Sequence, residues 1–171
     1  MATIAKVNMF LLELYHRLLK ILLTLLMALM IAPVSLQILS RYTGLVPRYI
    51  WTEEVARFCF VWIVMIGSMI AVRDETHFKV ELLPDPETKR QKGVSNLIVH
   101  MAMFLMALVF AWYGSQFAKS GFIQTSEMSG INMLSIYIAF PLAGVTWAVF
   151  LLERMAGDMQ LIFSKSQRLE S

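Results

Sequence analysis

The sequence predicts an all-α integral membrane protein that crosses the bilayer four times. Four long apolar stretches support this fold class, at about residues 21–40, 50–72, 94–118 and 128–152. Three of them contain no Asp, Glu, Lys or Arg, and in the second such residues occur only near its start. A helix needs roughly 20 apolar residues to cover about 30 Å of hydrocarbon at 1.5 Å per residue. Because backbone amides must be paired in lipid, each stretch is expected to be a helix.

The composition leaves little room for anything besides these spans. The chain has 171 residues, of which 58% are hydrophobic, so we expect a single membrane domain over residues 1–171 without a soluble catalytic domain. It is therefore not expected to be an enzyme. The net charge is only +3 and the basic residues lie at membrane edges, which excludes nucleic acid and leaves membrane lipid as a partner. Disulfide exchange needs two thiols, and Cys59 is the single cysteine, so the chain is not expected to be a membrane thiol oxidoreductase.

The segment before the first span, residues 2–20, has an amphipathic pattern. Glu13, Arg17 and Lys20 fall on one helical face, and Leu and Phe side chains fall on another. Such a segment is expected to form an interfacial helix in the headgroup plane before the first span turns into the membrane. The alternative is that it is the beginning of the first transmembrane helix. It lacks a small-residue cleavage site after a short apolar core, so a cleavable signal peptide is not expected.

The second span begins with the most distinctive motif of the chain, residues 51–58. Thr52 is predicted to be the N-cap, and Glu53 and Glu54 suit the positive end of the helix dipole. Arg57 follows them by four and three residues, so an ion pair within the helix is feasible with either one. The alternative interpretation is ordinary helix capping with an aromatic anchor.

Aromatic and small residues recur along the spans outside this motif. Trp51 and Trp62 lie roughly 16 Å apart along a helix axis, so they cannot both belong to one interfacial belt. Small residues recur at four-residue spacing, which allows helices to approach closely. These pairs are Gly67 and Ala71, Ala107 and Ala111, Ala139 and Ala143, and Gly144 and Ala148. Pro33 and Pro141 are expected to kink the first and fourth spans, each leaving one backbone carbonyl unpaired.

Few groups within the spans could carry chemistry. His100 is the one ionisable residue of the third span, and a haem is usually held by two facing histidines. The other histidines, His16 and His77, lie outside the membrane core, so no cofactor or metal is expected. Asp and Glu are also missing from mid-membrane positions, where proton-coupled pumps need a titratable carboxylate.

The distribution of basic residues predicts the orientation in the membrane. One side of the predicted spans carries 11 of the 15 Lys and Arg residues. The other side carries Arg41, Arg48, Arg57 and Lys119. Because cytoplasmic loops are enriched in Lys and Arg, both termini and the loop 73–92 are predicted to be cytoplasmic. The loops 41–52 and 119–127 are then predicted to face outward.

Several short motifs occur in a fixed order, and together they resemble a known family. They are Arg41-Tyr42, Trp51-x-Glu53-Glu54-x-Ala56-Arg57, Trp62 with Gly67, Arg73 through His77-Phe78-x-Val80 with Leu82-Leu83, and Tyr137 and Pro141 with Gly144. In length, number of spans and motif order, nearly the whole chain resembles the small membrane subunit of tripartite ATP-independent periplasmic (TRAP) transporters.

The resemblance implies a role within a complex. Family members assemble with a much larger multi-span membrane subunit, which carries the substrate and sodium sites. A soluble periplasmic substrate-binding protein delivers an organic acid, such as a dicarboxylate or a sialic acid. We therefore expect a scaffold subunit in the bacterial inner membrane that helps to dock the periplasmic protein. The candidate interface or structural residues are Arg41, Trp51, Glu53, Glu54, Arg57, Trp62, Gly67, Arg73, Tyr137 and Pro141.

Two alternatives belong to other functional classes. The chain could be a self-contained four-helix transporter or channel that works as a homo-oligomer, which would transport substrate without another subunit. It could instead be a membrane redox subunit, which would show a haem absorption spectrum.

Some relatives are fused to the large subunit, and the polar tail at residues 164–171 leads us to expect a separate polypeptide. Since the resemblance puts substrate binding elsewhere, the sequence does not identify the organic acid.

Overall fold

The structure, a computed structural model, describes residues 2–43, 47, 49–74, 89–126 and 130–163. The helices in these ranges are α1 (Ala2–Tyr42), α2 (Ile50–Asp74), α3 (Lys89–Gly121), the short α4 (Leu134–Tyr137) and α5 (Ala139–Phe163). Four helical stretches are long and apolar enough to cross a membrane: Leu11–Tyr42, Trp51–Asp74, Val94–Gly121 and Leu134–Met159. The prediction of an all-α chain with four spans is therefore confirmed.

The four long helices pack side by side in an open row. Helix α1 packs on α2, α2 on α5, and α5 on α3. Helices α1 and α3 form the two edges of the row, and α1 reaches α5 through long side chains such as Tyr15, whose hydroxyl lies 3.0 Å from that of Thr146. A small core lies where α1, α2 and α5 meet, formed by Leu19, Ile66, Met69, Ala143 and Phe150. Because the row is not closed, this chain leaves two broad apolar faces uncovered.

Helices α3 and α5 make the closest contact in the row. A Cβ added at Gly144 would lie 2.9 Å from the backbone oxygen of Ala107 and 2.9 Å from the Cα of Ala111. Only a glycine at this position allows the two backbones to approach so closely. The predicted close approach is confirmed here, whereas a Cβ at Gly67 would meet no heavy atom within 4 Å. Gly67 is therefore not required for packing within this chain.

The N-terminal segment does not turn before the first span. Helix α1 continues without interruption across residue 20, so the expected turn between an interfacial helix and the span is wrong, and the segment is the beginning of a longer helix. The physical reason lies in the residues that face α2. Leu12, Leu19, Leu23 and Leu26 pack against the core on one stripe that crosses the expected turn.

The fourth span is shifted relative to the predicted range 128–152. The first helical residue after the preceding loop is Leu134, and α5 continues to Phe163. Helix α4 ends at Tyr137, whose carbonyl cannot be bonded by Pro141 because proline has no N–H. The interruption at residue 138 is the expected effect of this proline. The helix continues beyond Leu152 because its next charged side chains have partners on neighbouring helices, as described below.

Candidate partner interface and the polar contacts at both ends of the row

The first residues of α2 lie at one end of the row, which we call the Trp51 end. Thr52 is buried, and its hydroxyl donates to the backbone oxygen of Tyr49 at 2.7 Å. Because α2 begins at Ile50, Thr52 lies inside the first turn, and its predicted role as N-cap is wrong. Trp51 is exposed beside Tyr49, with 6.1 Å between the ring centres.

The two glutamates of this motif have different partners. Arg57 donates to Glu53 at 3.1 Å, so the predicted ion pair within the helix forms with Glu53. Both side chains are exposed, at 59% for Arg57 and 69% for Glu53, so the pair contributes little to stability. Glu54 instead accepts a hydrogen bond from the hydroxyl of Ser126, in the loop after α3. Its other carboxylate oxygen is buried without a hydrogen-bond donor.

The described residues of the turn after α3, 122–126 and 130–133, bond to each other and to α2, which the sequence did not predict. Thr125 and Asn132 form an antiparallel bridge, and the amide of Met133 donates to the carbonyl of Gln124 at 3.0 Å. Gly130 has a φ of +69°, a conformation that glycine adopts without strain. This turn carries exposed apolar side chains, including Ile123, which is 89% exposed.

Trp62 and Tyr137 connect α2 and α3 to the beginning of the last span. The indole N–H of Trp62 donates to the backbone oxygen of Ser135 at 3.0 Å, so Trp62 faces the beginning of the last span. The ring of Tyr137 packs on Phe117 with 4.0 Å between ring centres, and its hydroxyl donates to Gln124 at 3.3 Å. Both candidate residues therefore have structural roles inside this chain.

One face of α2 remains uncovered by the rest of the chain. Its members recur at helical spacing, four and then three residues apart, which places them on one side of the helix. They are Glu53, Arg57, Phe60, Val64 and Gly67, and we call this surface the α2 stripe. Arg41, another candidate residue, is exposed in the last turn of α1, where a positive charge suits the helix dipole.

The opposite end of the row, the Arg73 end, holds a second set of polar contacts. Arg73 forms an ion pair with Glu153 of α5 and lies 5.2 Å from the centre of the Phe150 ring. Arg154 donates to the backbone oxygen of Arg73 at 2.7 Å. These contacts fix the end of α2 to α5.

Three further contacts between charged or ionisable side chains at the Arg73 end bind the outer helices of the row to their neighbours. His100 of α3 lies 2.6 Å from Asp158 of α5. Asp74 of α2 contacts His16 at 3.0 Å and Lys20 at 3.1 Å, both on α1. His100 is therefore engaged by a carboxylate, and the described residues contain no group of three or more metal-binding side chains. The motif residues His77 to Leu83 lie outside the described residues.

Comparisons with known proteins identify the family. The family model for tripartite ATP-independent periplasmic transporters, DctQ component, matches residues 30–161. A putative TRAP transporter small permease protein of Haemophilus influenzae is 25% identical over 151 residues, covering 86% of this chain and 91% of the relative. The sialic acid TRAP transporter small permease protein SiaQ of Vibrio cholerae is 26% identical, covering 82% of this chain and 81% of the relative.

A longer relative matches over only part of its length. The isethionate TRAP transporter permease protein DctMQ of Oleidesulfovibrio alaskensis is 27% identical over 135 residues, which is 75% of this chain and 21% of that protein. These relatives are transporter permease proteins, which confirms the prediction that the chain is not an enzyme. With a family model that covers most of its length, the chain belongs to the DctQ-component family of tripartite ATP-independent periplasmic transporters, as a small, multi-pass membrane subunit.

Proposed function

We propose that this chain is a scaffold subunit that supports a larger membrane subunit of a secondary, sodium-coupled TRAP transporter. One observation carries the scaffold role. In all four described membrane-length helices, the charged side chains lie towards the helix ends, so no titratable group occupies mid-membrane. Ion-coupled transport through the bilayer needs such groups or polar coordination along the path. The transport chemistry is therefore assigned to another polypeptide.

The larger subunit is proposed to cover the α2 stripe. Two features support this surface: the ion pair at its Trp51 end is exposed, and Gly67 at its other end has open space around it. Small residues in membrane helices allow a partner helix to approach closely. The match to about a fifth of the isethionate permease is consistent with a longer partner region elsewhere in that protein.

The transported substrate is proposed to be an organic acid. Relatives are named for sialic acid, which is a carboxylic acid, and for isethionate, which is the anion of a sulfonic acid. The substrate is expected to bind to a periplasmic protein and to the larger subunit. Binding of the substrate by this chain is not part of the proposal.

The Trp51 end is proposed to face the periplasm, with both chain termini in the cytoplasm of the bacterial inner membrane. The Lys and Arg bias supports this orientation. The turn after α3 and the exposed Trp51 would then be available to the periplasmic substrate-binding protein. A cysteine at Gln124 should react with an impermeant reagent in intact cells, and one at Lys89 should not. The reverse labelling pattern would overturn the orientation.

Omission of the chain tests the scaffold role directly. Uptake should be measured in proteoliposomes that contain the larger subunit alone, this chain alone, or both, with the periplasmic protein and a sodium gradient supplied. Only the pair is expected to transport. Substrate binding by the isolated periplasmic protein should be unchanged, because that site is on another polypeptide.

Two outcomes would contradict the proposal. Undiminished uptake by the larger subunit alone, at matched abundance in the membrane, would show that this chain is not needed as a scaffold. Uptake by this chain alone would instead support the self-contained homo-oligomeric transporter. The three samples distinguish these functions without any mutation.

A further inference from the structure

The polar side chains at the Arg73 end surround a pocket that the scaffold role does not use. The pocket has a volume of about 470 Å³ and lies between the end of α2, the beginning of α3 and the last turns of α5. Its lining consists of Arg73, Asn96, His100, Glu153, Arg154, Gly157 and Asp158. Two guanidinium groups and two carboxylates therefore face one small space.

The charged groups of the pocket are held in place by one another. The side chains of His100 and Asp158 are only 13% and 7% exposed, and that of Arg73 is 16% exposed. The guanidinium and carboxylate groups in these pairs can each form further hydrogen bonds. A guanidinium carries five N–H donors and a carboxylate has about four acceptor positions, so each can bind its present partner and a ligand together.

The composition of the lining selects the class of ligand. A pocket with only Arg residues would favour a purely anionic phosphate group, whereas the two carboxylates here would repel it. A zwitterion with a phosphate and a primary ammonium matches both signs of charge. Because the pocket lies at the ends of membrane-length helices, we expect the head groups of one leaflet to surround it.

We propose that this pocket binds the phosphoethanolamine head group of a phospholipid. The guanidinium groups of Arg73 and Arg154 face the phosphate, and the carboxylates of Glu153 and Asp158 accept hydrogen bonds from the ammonium. Asn96 supplies a neutral donor at the edge of the site. This inference does not depend on the larger subunit or on the transported substrate, since all the residues belong to this chain.

Gly157 allows the pocket to be filled without changing a charged group. A Cβ at Gly157 would meet no heavy atom within 4 Å, so a larger side chain can extend into the open space. Replacing a helical glycine also favours the helix. The substitution Gly157→Leu should therefore keep the fold and the ion pairs while it occupies the head-group space.

Lipid retention by the full chain in detergent can be measured with native mass spectrometry. Phosphatidylethanolamine should be compared with phosphatidylcholine and phosphatidylglycerol of the same acyl chains. We expect phosphatidylethanolamine to be retained about tenfold more tightly, because phosphatidylcholine has no N–H donor and phosphatidylglycerol has no cation. In a second experiment, free phosphoethanolamine is added as a competitor of bound phosphatidylethanolamine. Displacement of the lipid would show that the head group alone is sufficient for binding. Without displacement, the ligand is the intact membrane lipid.

Variants then assign the binding to this pocket. Gly157→Leu and Asn96→Ala should reduce the preference for phosphatidylethanolamine, while Glu53→Gln at the opposite end should not. Tryptophan fluorescence and size-exclusion elution check that each variant is folded. Equal retention of the three lipids by the wild type would overturn the proposal. Unchanged selectivity in a folded Gly157→Leu variant would overturn it as well, because a purely structural ion-pair cluster predicts that result.

Discussion

Two glycines on neighbouring helices distinguish packing within this chain from the proposed packing against a larger subunit. At Gly144 an added Cβ would lie 2.9 Å from the backbone oxygen of Ala107, and backbone cannot move aside as a flexible side chain does. At Gly67 the same Cβ would have no heavy atom within 4 Å. One substitution, Gly→Leu, therefore has opposite structural consequences at the two positions.

In the isolated chain, Gly144→Leu should lower the free energy of unfolding by about 1–3 kcal/mol or more, the cost of overpacking a tight contact. Gly67→Leu should leave it unchanged or raise it by up to about 1 kcal/mol, since leucine favours a helix more than glycine does. Denaturation in detergent, followed by tryptophan fluorescence, measures both. In the complex, Gly67→Leu should reduce co-purification with the larger subunit because it adds four carbon atoms to the α2 stripe.

The results that would refute this reasoning differ for the two positions. A stable Gly144→Leu variant would mean that α3 and α5 are not in close backbone contact. Wild-type recovery of the complex and wild-type uptake with Gly67→Leu would mean that the α2 stripe faces lipid. Gly67→Ala serves as the matched control, since one methyl group should be tolerated both in the isolated chain and in the complex.

Further predictions concern the polar contacts. Replacing Arg73 or Glu153 alone by Met should cost up to about 3–5 kcal/mol of unfolding free energy in thermal denaturation, because one charge loses its partner. Replacing both residues should recover much of the lost unfolding free energy. If the losses of the two single variants simply add in the double variant, the two side chains do not form an ion pair. In the same assay, the losses of unfolding free energy from Glu54→Ala and Ser126→Ala should be less than additive in the double variant, since both substitutions remove the same hydrogen bond. Arg57→Ala should cost at most about 1 kcal/mol in the isolated chain, and a larger loss would mean that its ion pair is shielded.

The local features of the fold could be predicted from the sequence. Four spans follow from hydrophobic length alone, because lipid admits few other structures. The Glu53–Arg57 pair follows from a spacing of four residues in one helix. The small-residue spacing also identified Gly144, although the same pattern at Gly67 has no packing role within the chain. Periodicity identifies a helix face but does not show which neighbour covers it.

The contacts between distant helices could not be predicted. Arg73 and Glu153 are 80 positions apart, and their pairing depends on α2 and α5 being neighbours in the row. The uncharged stretch 128–152, which predicts the fourth span, ends just before this glutamate. Once the charges are paired across helices, they no longer have to mark the end of a span. The spacing of the motif allows either Glu53 or Glu54 to pair with Arg57, whereas the partner of Glu54 is Ser126, from a turn that has no strong sequence pattern.

The open row explains why polar contacts are concentrated at its ends. A closed bundle fixes its helices by mutual burial around one core, but in this row α1 packs mainly on α2, and α3 mainly on α5. At the Arg73 end, a polar contact joins every successive pair of helices: His16 and Lys20 with Asp74, Arg73 with Glu153, and His100 with Asp158. At the Trp51 end, Glu54 and Trp62 bind α2 to the segment between α3 and α5. The middle of the row can therefore remain apolar while its helices keep a fixed order, which is consistent with the proposed scaffold role.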